Sequence, residues 1–322
     1  MGKLLRRLLW GCLLGVAIYA ALAIYLGVAE LGQSLAQFAW WRLAPVLALT
    51  LGNYLLRYLK WSTYLRVLKI DVPTKQNAVI FLGGLSMTIT PGKIGELLKA
   101  YLLRTAQGVP MARTLPVVIA ERITDLLALV VLMSGGIVAF GRGHTAALIV
   151  GCSVLLFIVV VGQRRLSLGL LHLIARLPGL SGFSHKLEEF YESTHRLFRP
   201  GPLLVAALLS VAAWACECAG FCLVLGGFPS TVVGLLLATF IYSATTIGGL
   251  PTPGGLGLTE GGMTALLAYT AKIDRHVAGA ATLIIRLCTL WFAVIVGVIA
   301  LFAFRRSVGL ADDAAERMMD SR

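Results

Sequence analysis

Long apolar segments, separated by short loops rich in lysine and arginine, dominate the sequence. A helix needs about 20 apolar residues to cross the hydrocarbon core of a bilayer, and several segments reach that length. The pattern predicts six membrane-spanning helices, at residues 8–29, 44–66, 114–139, 145–163, 202–226 and 277–304. The first segment is too long for the core of a signal peptide and no small-residue cleavage site follows it, so we expect it to be retained.

Composition and charge agree with a membrane protein and orient it. The chain is 58% hydrophobic and only 13% charged, against about 25% charged in ordinary soluble domains. With the N-terminus in the cytoplasm, most of the 28 lysines and arginines fall on the cytoplasmic side. The net charge of +13 therefore follows the positive-inside rule and indicates anionic lipids as partners, not nucleic acid. We expect a bacterial cytoplasmic membrane protein with both termini inside.

Two further apolar regions do not fit simple spans. Residues 76–104 begin and end on the cytoplasmic side and are interrupted at Thr90-Pro91-Gly92, whereas residues 231–271 begin and end outside and are interrupted at 251–255. We expect each region to form a re-entrant hairpin of two half-helices, because non-helical backbone at membrane depth is tolerated where protein or a wet cavity covers it. The alternative is two proline-kinked full spans in each region.

The two interruptions belong to an internal repeat. The sequence Thr90-Pro-Gly-Lys-Ile-Gly-Glu96 is echoed by Thr252-Pro-Gly-Gly-Leu-Gly-Leu-Thr-Glu260, and an arginine follows each glutamate after 26 residues. Each unit reads span, hairpin, span, at 44–139 and at 202–304, and the odd connecting span inverts the second unit. We predict one all-α transmembrane domain over residues 1–322, built from inverted-topology repeats as in secondary transporters.

Each interruption has the chemistry of a helix start. Threonine is a good N-cap and proline a good first helical residue, while the glycines that follow allow another group to approach the backbone closely. A half-helix N-terminus exposes unpaired N–H groups that suit a phosphate. The candidate substrate-binding residues at the two breaks are Pro91, Gly92, Lys93, Gly95, Pro253, Gly254, Gly255 and Gly257. The alternative is that they serve only helix breaking and packing.

Ionisable residues at membrane depth complete the candidate site. The acids are Glu96, Glu121, Asp125, Glu217 and Glu260, and the bases are Arg57, Lys60, Arg122 and Arg286. Each costs roughly 2.5–3.5 kcal/mol at a helix centre on insertion scales, so exposure to lipid without a partner is disfavoured. We expect Glu96 to pair with Arg122 and Glu260 with Arg286, and both arginines are candidates to hold a substrate phosphate.

Three of these acids raise separate questions. Glu121 and Asp125 share one helical face and would repel unless a cation or a proton intervenes. Glu217 has no obvious local partner, which makes it a candidate proton-titrating site. Structural ion pairing is the alternative for the whole set. We predict no catalytic residue, metal site or cofactor, because Cys216 and Cys218 would point to nearly opposite sides of a helix and no nucleophile or phosphate-loop motif occurs.

Residues 183–199 have a different character. Apolar residues recur there at helical spacing opposite charged ones, which predicts an amphipathic helix on the cytoplasmic membrane surface. A helix that docks a partner protein is the alternative.

The same motifs resemble a known family. The run Pro91–Glu96 with Glu121-Arg122-x-x-Asp125, then Pro253–Glu260 with Arg286, and upstream Arg57-x-x-Lys60-Trp61, is similar to the signature of the lysylphosphatidylglycerol synthase transmembrane region. The resemblance covers nearly the whole chain. It departs at Lys60, where the family often has arginine, and in the second break, which is two residues longer than the first. The resemblance implies a flippase-like membrane domain.

The chain ends at Arg322, shortly after the last predicted span, so we expect no synthase domain and no enzymatic activity. The leading hypothesis is a translocator of an anionic lipid, such as aminoacyl-phosphatidylglycerol or a polyprenyl-phosphate conjugate. The alternative is a lipid-binding membrane protein that recruits enzymes of envelope synthesis, with a cytoplasmic lipid-synthesis enzyme or a second copy of the chain as partner. A membrane-embedded transferase using Glu121 and Asp125 around a divalent metal is a third reading, but no aspartate-rich motif supports it.

Overall fold

The structure is a computed structural model that describes residues 2–89, 97–140, 148–149, 151–152, 184–229 and 231–304. Regular structure in these ranges is entirely helical. The helices with described bounds are α1 Gly2–Leu26, α2 Val28–Ala36, α3 Leu43–Val67, α4 Thr74–Leu85, α5 Leu97–Gln107, α6 Met111–Phe140, α7 Ser184–Leu197, α8 Pro200–Leu225, α9 Leu235–Gly248, α10 Leu258–Thr270 and α11 Arg275–Phe304. The first break of the predicted repeat, residues 90–96, and most of the predicted span 145–163 lie outside the described residues.

Long apolar helices confirm an integral membrane protein. Helices α8 and α11 are 26 and 30 residues long and apolar enough to cross a bilayer, and α1 with α2 form a third such segment that is sharply bent. Helices α3 and α6, at 25 and 30 residues, exceed the length that a span requires. They carry charged residues on their buried faces, and these residues form the candidate site described below.

The first predicted span needs a correction, because it does not run unbroken to residue 29. Helix α1 ends at Leu26, and α2 leaves it at an angle of 95°. The bend lies at Gly27, whose φ of +83° suits glycine alone. The turn brings Leu26 against α11 at Gly279, where a Cβ atom would lie 2.1 Å from Leu26 Cδ1. Gly27 therefore allows the bend, and Gly279 allows the close packing of Leu26 against α11.

Both interrupted regions consist of short helices. Helices α4 and α5, of 12 and 11 residues, flank the first interruption. Helices α9 and α10, of 14 and 13 residues, flank the second, which contains a 3₁₀ turn at Pro253–Gly255. Each helix is shorter than the roughly 20 residues needed to cross hydrocarbon. The sequence therefore located the helices on both sides of each interruption.

The core joins the helices into one bundle. Helix α3 packs against α8, and α6 packs against both α8 and α9. Helix α11 changes to a π turn at Leu287–Trp291, directly after Arg286. Such a turn frees a carbonyl group from the helix, and here the Tyr54 hydroxyl donates a hydrogen bond of 3.0 Å to Thr289 O. Tyr54 thereby ties α3 to α11 beside the candidate site.

The amphipathic segment forms helix α7, but its surroundings differ from the expected membrane surface. Tyr191, Thr194, Leu197 and Phe198 are buried, and Leu197 and Phe198 share a core cluster with α6. In its described part, the apolar side of this segment is therefore covered by protein.

Candidate functional site

Asp125 is the centre of a buried ionic cluster, termed here the Asp125 cluster. Lys60 Nζ lies 2.5 Å from Asp125 Oδ1, and Ser210 Oγ donates to the same oxygen over 3.1 Å. Arg122 and Arg57 approach the other oxygen, Oδ2, at 3.3 and 3.6 Å. The lysine is fully buried and also donates to Ser210 Oγ at 2.7 Å. One carboxylate of α6 thus contacts two cationic side chains of α3, Arg122 of its own helix and the Ser210 hydroxyl of α8.

Glu121 is paired with Lys99, a residue that the sequence analysis did not select. The Lys99 Nζ atom lies 2.5 Å from Glu121 Oε2 and 4.7 Å from the centre of the Trp61 ring. Gly84 leaves the space that the lysine stem occupies, since a Cβ there would lie 2.3 Å from Lys99 Cγ. Lys99 shares a helical face with buried Leu102 and Leu103, and this spacing was the available signal.

The expected repulsion between Glu121 and Asp125 is thus resolved by two lysines, one on each carboxylate. Lys60 of α3 and Lys99 of α5 are thus the cations that offset the two acids.

The second cluster, termed the Glu260 cluster, surrounds the break between α9 and α10. Arg286 Nε donates to Glu260 Oε1 over 2.6 Å, as the 26-residue spacing predicted, and a terminal nitrogen of Arg286 donates to Gly254 O over 2.6 Å. Tyr19 of α1 reaches Glu260 Oε1 at 3.5 Å. The other predicted pair was Glu96 with Arg122, and Glu96 lies outside the described residues. Arg122 contacts Asp125.

The break itself starts a helix differently from the prediction. Thr252 makes no capping hydrogen bond, and its hydroxyl donates instead to Gly249 O over 3.0 Å. Pro253 opens the short 3₁₀ turn, and the N-cap of α10 is Gly257, whose N–H donates to Glu260 Oε2 over 2.7 Å. A carboxylate of the chain itself therefore occupies the half-helix N-terminus that we expected to face a phosphate.

The glycines of this break have the backbone conformation that favours glycine. Gly254, Gly255 and Gly257 have φ of +60°, +78° and +84°. A Cβ on Gly254 would lie 3.0 Å from Ile89 Cα, in the turn that follows α4. The two interrupted regions therefore meet here, backbone against backbone.

An open cleft of about 700 Å³, counting the part open to the outside, lies beside these clusters. Five of the sequence-predicted residues line it: Arg57, Glu217, Gly254, Gly255 and Arg286. The wall also contains residues that the sequence analysis did not select, namely Tyr54, Thr88, Trp214, Tyr242, Thr246, Thr252, Thr259 and Thr289. Most of these carry hydroxyl groups, which give no signal in a single sequence. Arginine, glutamate and hydroxyl groups in this lining give the cleft a polar, charged surface.

The remaining predicted residues lie behind the wall or outside the described ranges. Lys60, Arg122, Asp125 and Glu260 belong to the two clusters, Glu121 is paired with Lys99, and Pro253 and Gly257 belong to the break. Pro91, Gly92, Lys93, Gly95 and Glu96 fall in the range that the structure does not describe. Glu217 does have a partner, because Tyr242 of α9 donates a hydrogen bond of 2.5 Å to its Oε2.

These observations define a multi-pass α-helical membrane protein with buried ion pairs and a charged cleft beside a broken helix. The chain belongs to the lysylphosphatidylglycerol synthase transmembrane region family, whose model matches residues 12–297. It is also similar to a UPF0104 membrane protein of Methanothermobacter thermautotrophicus, with 28% identity over an alignment that covers 95% of this chain and 96% of the relative. The family is one of membrane proteins linked to lipid handling.

Proposed function

We propose that this protein translocates a lipid with an anionic head group between the two leaflets of a membrane. The observation that carries the proposal is the cleft, in which Arg57 and Arg286 line one polar space within the helix bundle. Charged side chains at membrane depth are costly, and they typically mark a substrate pathway. Membership of a family linked to lipid handling supports a lipid as the substrate.

The cleft has suitable donors for a phosphate-containing head group, because Arg57 and Arg286 both line it. A guanidinium group has five N–H donors and binds phosphate with parallel hydrogen bonds. The contacts of Arg286 to Glu260 and Gly254 use two of these donors. The arginine can therefore keep its structural contacts and still bind a head group.

The architecture that we propose for transport is an inverted repeat within one transmembrane domain, 1–322. Residues 44–139 and 202–304 form the two repeats, and the short helices at 76–104 and 231–271 are re-entrant hairpins that enter from opposite faces. The contact of Gly254 with Ile89 supports this arrangement, because hairpins that enter from opposite sides would meet near the middle of the bilayer. Rocking of one repeat against the other would then expose the cleft to each leaflet in turn.

The proposed setting is a bacterial cytoplasmic membrane, with both termini in the cytoplasm and no catalytic residue in the chain. Membrane lipids are the proposed partners, and a second copy of the chain or a cytoplasmic lipid-synthesis enzyme would be found by crosslinking. The charge distribution of the loops supports this orientation.

The test is lipid translocation by purified protein in liposomes. Phosphatidylglycerol with a fluorescent acyl chain is incorporated into both leaflets, and dithionite then quenches the outer leaflet. We expect the protein to accelerate loss of the protected fraction, and Arg57→Gln and Arg286→Gln to abolish the acceleration. Arg66→Gln is the control, because it removes the same charge from an exposed position on α3. No acceleration by folded protein for any anionic lipid would reject the proposal in favour of a lipid-binding recruitment function.

A further inference from the structure

Glu217 adds a negative charge to the cleft that two arginines also line. Among the side chains of the described residues that line the cleft, Glu217 is the one acid, and Arg57 and Arg286 are the bases. Its side chain comes from α8, a helix that is otherwise strongly apolar. A carboxylate in that position is costly to bury and contributes nothing to attracting an anion, so its presence in a site for an anionic group needs a reason.

Tyr242 determines what Glu217 presents to the cleft. The tyrosine is 2% exposed, its ring packs against Phe221 with centroids 5.6 Å apart, and its hydroxyl donates to Glu217 Oε2 over 2.5 Å. A phenol that donates in this way stabilises the carboxylate as an acceptor and fixes its rotamer. The tyrosine is thus a positioning residue that holds a negative group in the cleft wall.

The two arginines of the cleft already have anionic neighbours. Arg286 is paired with Glu260 at 2.6 Å, and Arg57 lies 3.6 Å from Asp125, which Lys60 contacts more closely. In the described residues, the two clusters, the pair of Lys99 with Glu121 and the cleft together contain five bases and four acids. These are Arg57, Lys60, Lys99, Arg122 and Arg286 against Glu121, Asp125, Glu217 and Glu260. Among these described residues the excess is one positive charge, which matches one negative charge on a ligand.

We propose that Glu217, positioned by Tyr242, makes the cleft selective for head groups whose phosphate carries a single negative charge. This selects phosphodiesters over phosphate monoesters and diphosphates. The second proton of a phosphate monoester leaves near pH ~6, so a monoester lipid carries close to two charges above neutrality. The additional charge would face the Glu217 carboxylate in a partly desolvated space, where repulsion is much stronger than in water. The inference deepens the proposed function by naming the substrate class.

Two lipids that differ by one methyl group test the inference. Phosphatidic acid is a monoester, and phosphatidylmethanol is the smallest phosphodiester made from it, so the pair differs in charge with little change in size. Short-chain forms of both are titrated against the detergent-solubilised protein, and acyl-labelled forms are followed in the liposome assay at mildly alkaline pH. We expect phosphatidylmethanol to bind and to be translocated at least about tenfold better, given the strength of a charge–charge contact in such a site.

The variants separate specificity from structure. Glu217→Gln keeps the shape and still accepts a hydrogen bond from Tyr242, and we expect it to remove most of the preference by improving phosphatidic acid relative to phosphatidylmethanol. Tyr242→Phe retains the Glu217 carboxylate but removes the hydrogen bond that fixes it. We expect its preference for phosphatidylmethanol over phosphatidic acid to lie between the preferences of the wild-type protein and Glu217→Gln. Glu30→Gln, an acid-to-amide change at an exposed position in α2, is the control and should leave the ratio unchanged.

The outcomes distinguish this inference from the proposed function. A preference for phosphatidylmethanol that persists unchanged in Glu217→Gln overturns the role of Glu217. Equal binding of both lipids by the wild-type protein overturns the selectivity, even if both are translocated. Selective binding that depends on Glu217, without any translocation, upholds the inference and rejects the transport function. Binding of neither lipid rejects both.

Discussion

Arg286 and Glu260 form a buried ion pair, with Nε and Oε1 separated by 2.6 Å, and the same guanidinium holds the backbone of the break at Gly254 O. Glu260 in turn accepts a hydrogen bond from Gly257 N at the start of α10. One arginine therefore connects α11 to both ends of the second break. The pair fixes the shape of the loop that forms part of the cleft wall.

The first prediction follows from the fork geometry of this arginine. Lysine keeps the charge but cannot donate to Glu260 and Gly254 O in the same way, because an ammonium is a compact point charge. Arg286→Lys should lower the free energy of unfolding by about 1–3 kcal/mol, the usual cost of leaving a buried acceptor unsatisfied, and should strongly reduce transport. Thermal unfolding in detergent and the liposome assay measure the two effects. Wild-type stability and wild-type transport would contradict the need for both guanidinium hydrogen bonds. Arg66→Lys, at an exposed position, is the control.

The second prediction compares two glycines near the same break. Gly254→Ala places a side chain at φ +60° and 3.0 Å from Ile89 Cα, so it should destabilise the protein by about 1–2 kcal/mol from the backbone conformation alone. Gly261→Ala, in helix α10, adds a methyl group with no atom within 4 Å. There alanine should be neutral or stabilising by up to about 1 kcal/mol. We expect the unfolding midpoint to fall for Gly254→Ala and to stay unchanged or rise for Gly261→Ala, and shifts of equal sign and size would contradict the positive φ and close approach at Gly254.

The sequence predicted the features that depend on residues close to one another along the chain. The apolar runs located α3, α6, α8 and α11 because length and hydropathy are local properties. The equal spacing of acid and arginine predicted the pair of Glu260 with Arg286 because both residues follow the same break.

Contacts between distant segments could not be predicted in the same way. The pair of Lys60 with Asp125 joins residues 65 positions apart, and nothing in either span specifies which helix packs beside it. Lys99 resembled a cytoplasmic lysine at the end of a hairpin until the fold placed it over Trp61. The bend at Gly27 was missed because one glycine in an apolar run is also common inside membrane helices.

The third prediction concerns the pair of Lys99 with Glu121. Lys99→Met leaves the Glu121 carboxylate buried without its cation, and removal of one partner from a buried pair costs about 3–5 kcal/mol. The double variant Lys99→Met/Glu121→Gln removes the charge as well, so it should recover a large part of that loss. A double-mutant cycle of thermal stabilities gives the coupling energy, expected at about 0.5–3 kcal/mol for residues in contact. Additive losses would show that the two side chains do not interact.

The fourth prediction concerns helix α11, which contacts both interrupted regions. Arg286 holds the second break, and eleven residues later Gly297 lies against the turn after α4, where a Cβ would come within 2.1 Å of Ser86 N. Because that neighbour is backbone, Gly297→Ala must push α11 away from the first region, at a cost typical of overpacking, about 1–3 kcal/mol. Gly220→Ala is the matched control, since its nearest neighbour is the Val46 side chain at 3.7 Å, an ordinary contact. We expect Gly297→Ala to lower the unfolding midpoint and to slow translocation while Gly220→Ala changes neither. If transport depends on α11 moving with both interrupted regions, the slowing should persist at temperatures where the variant remains fully folded. Full activity under those conditions would show that the contact serves stability alone.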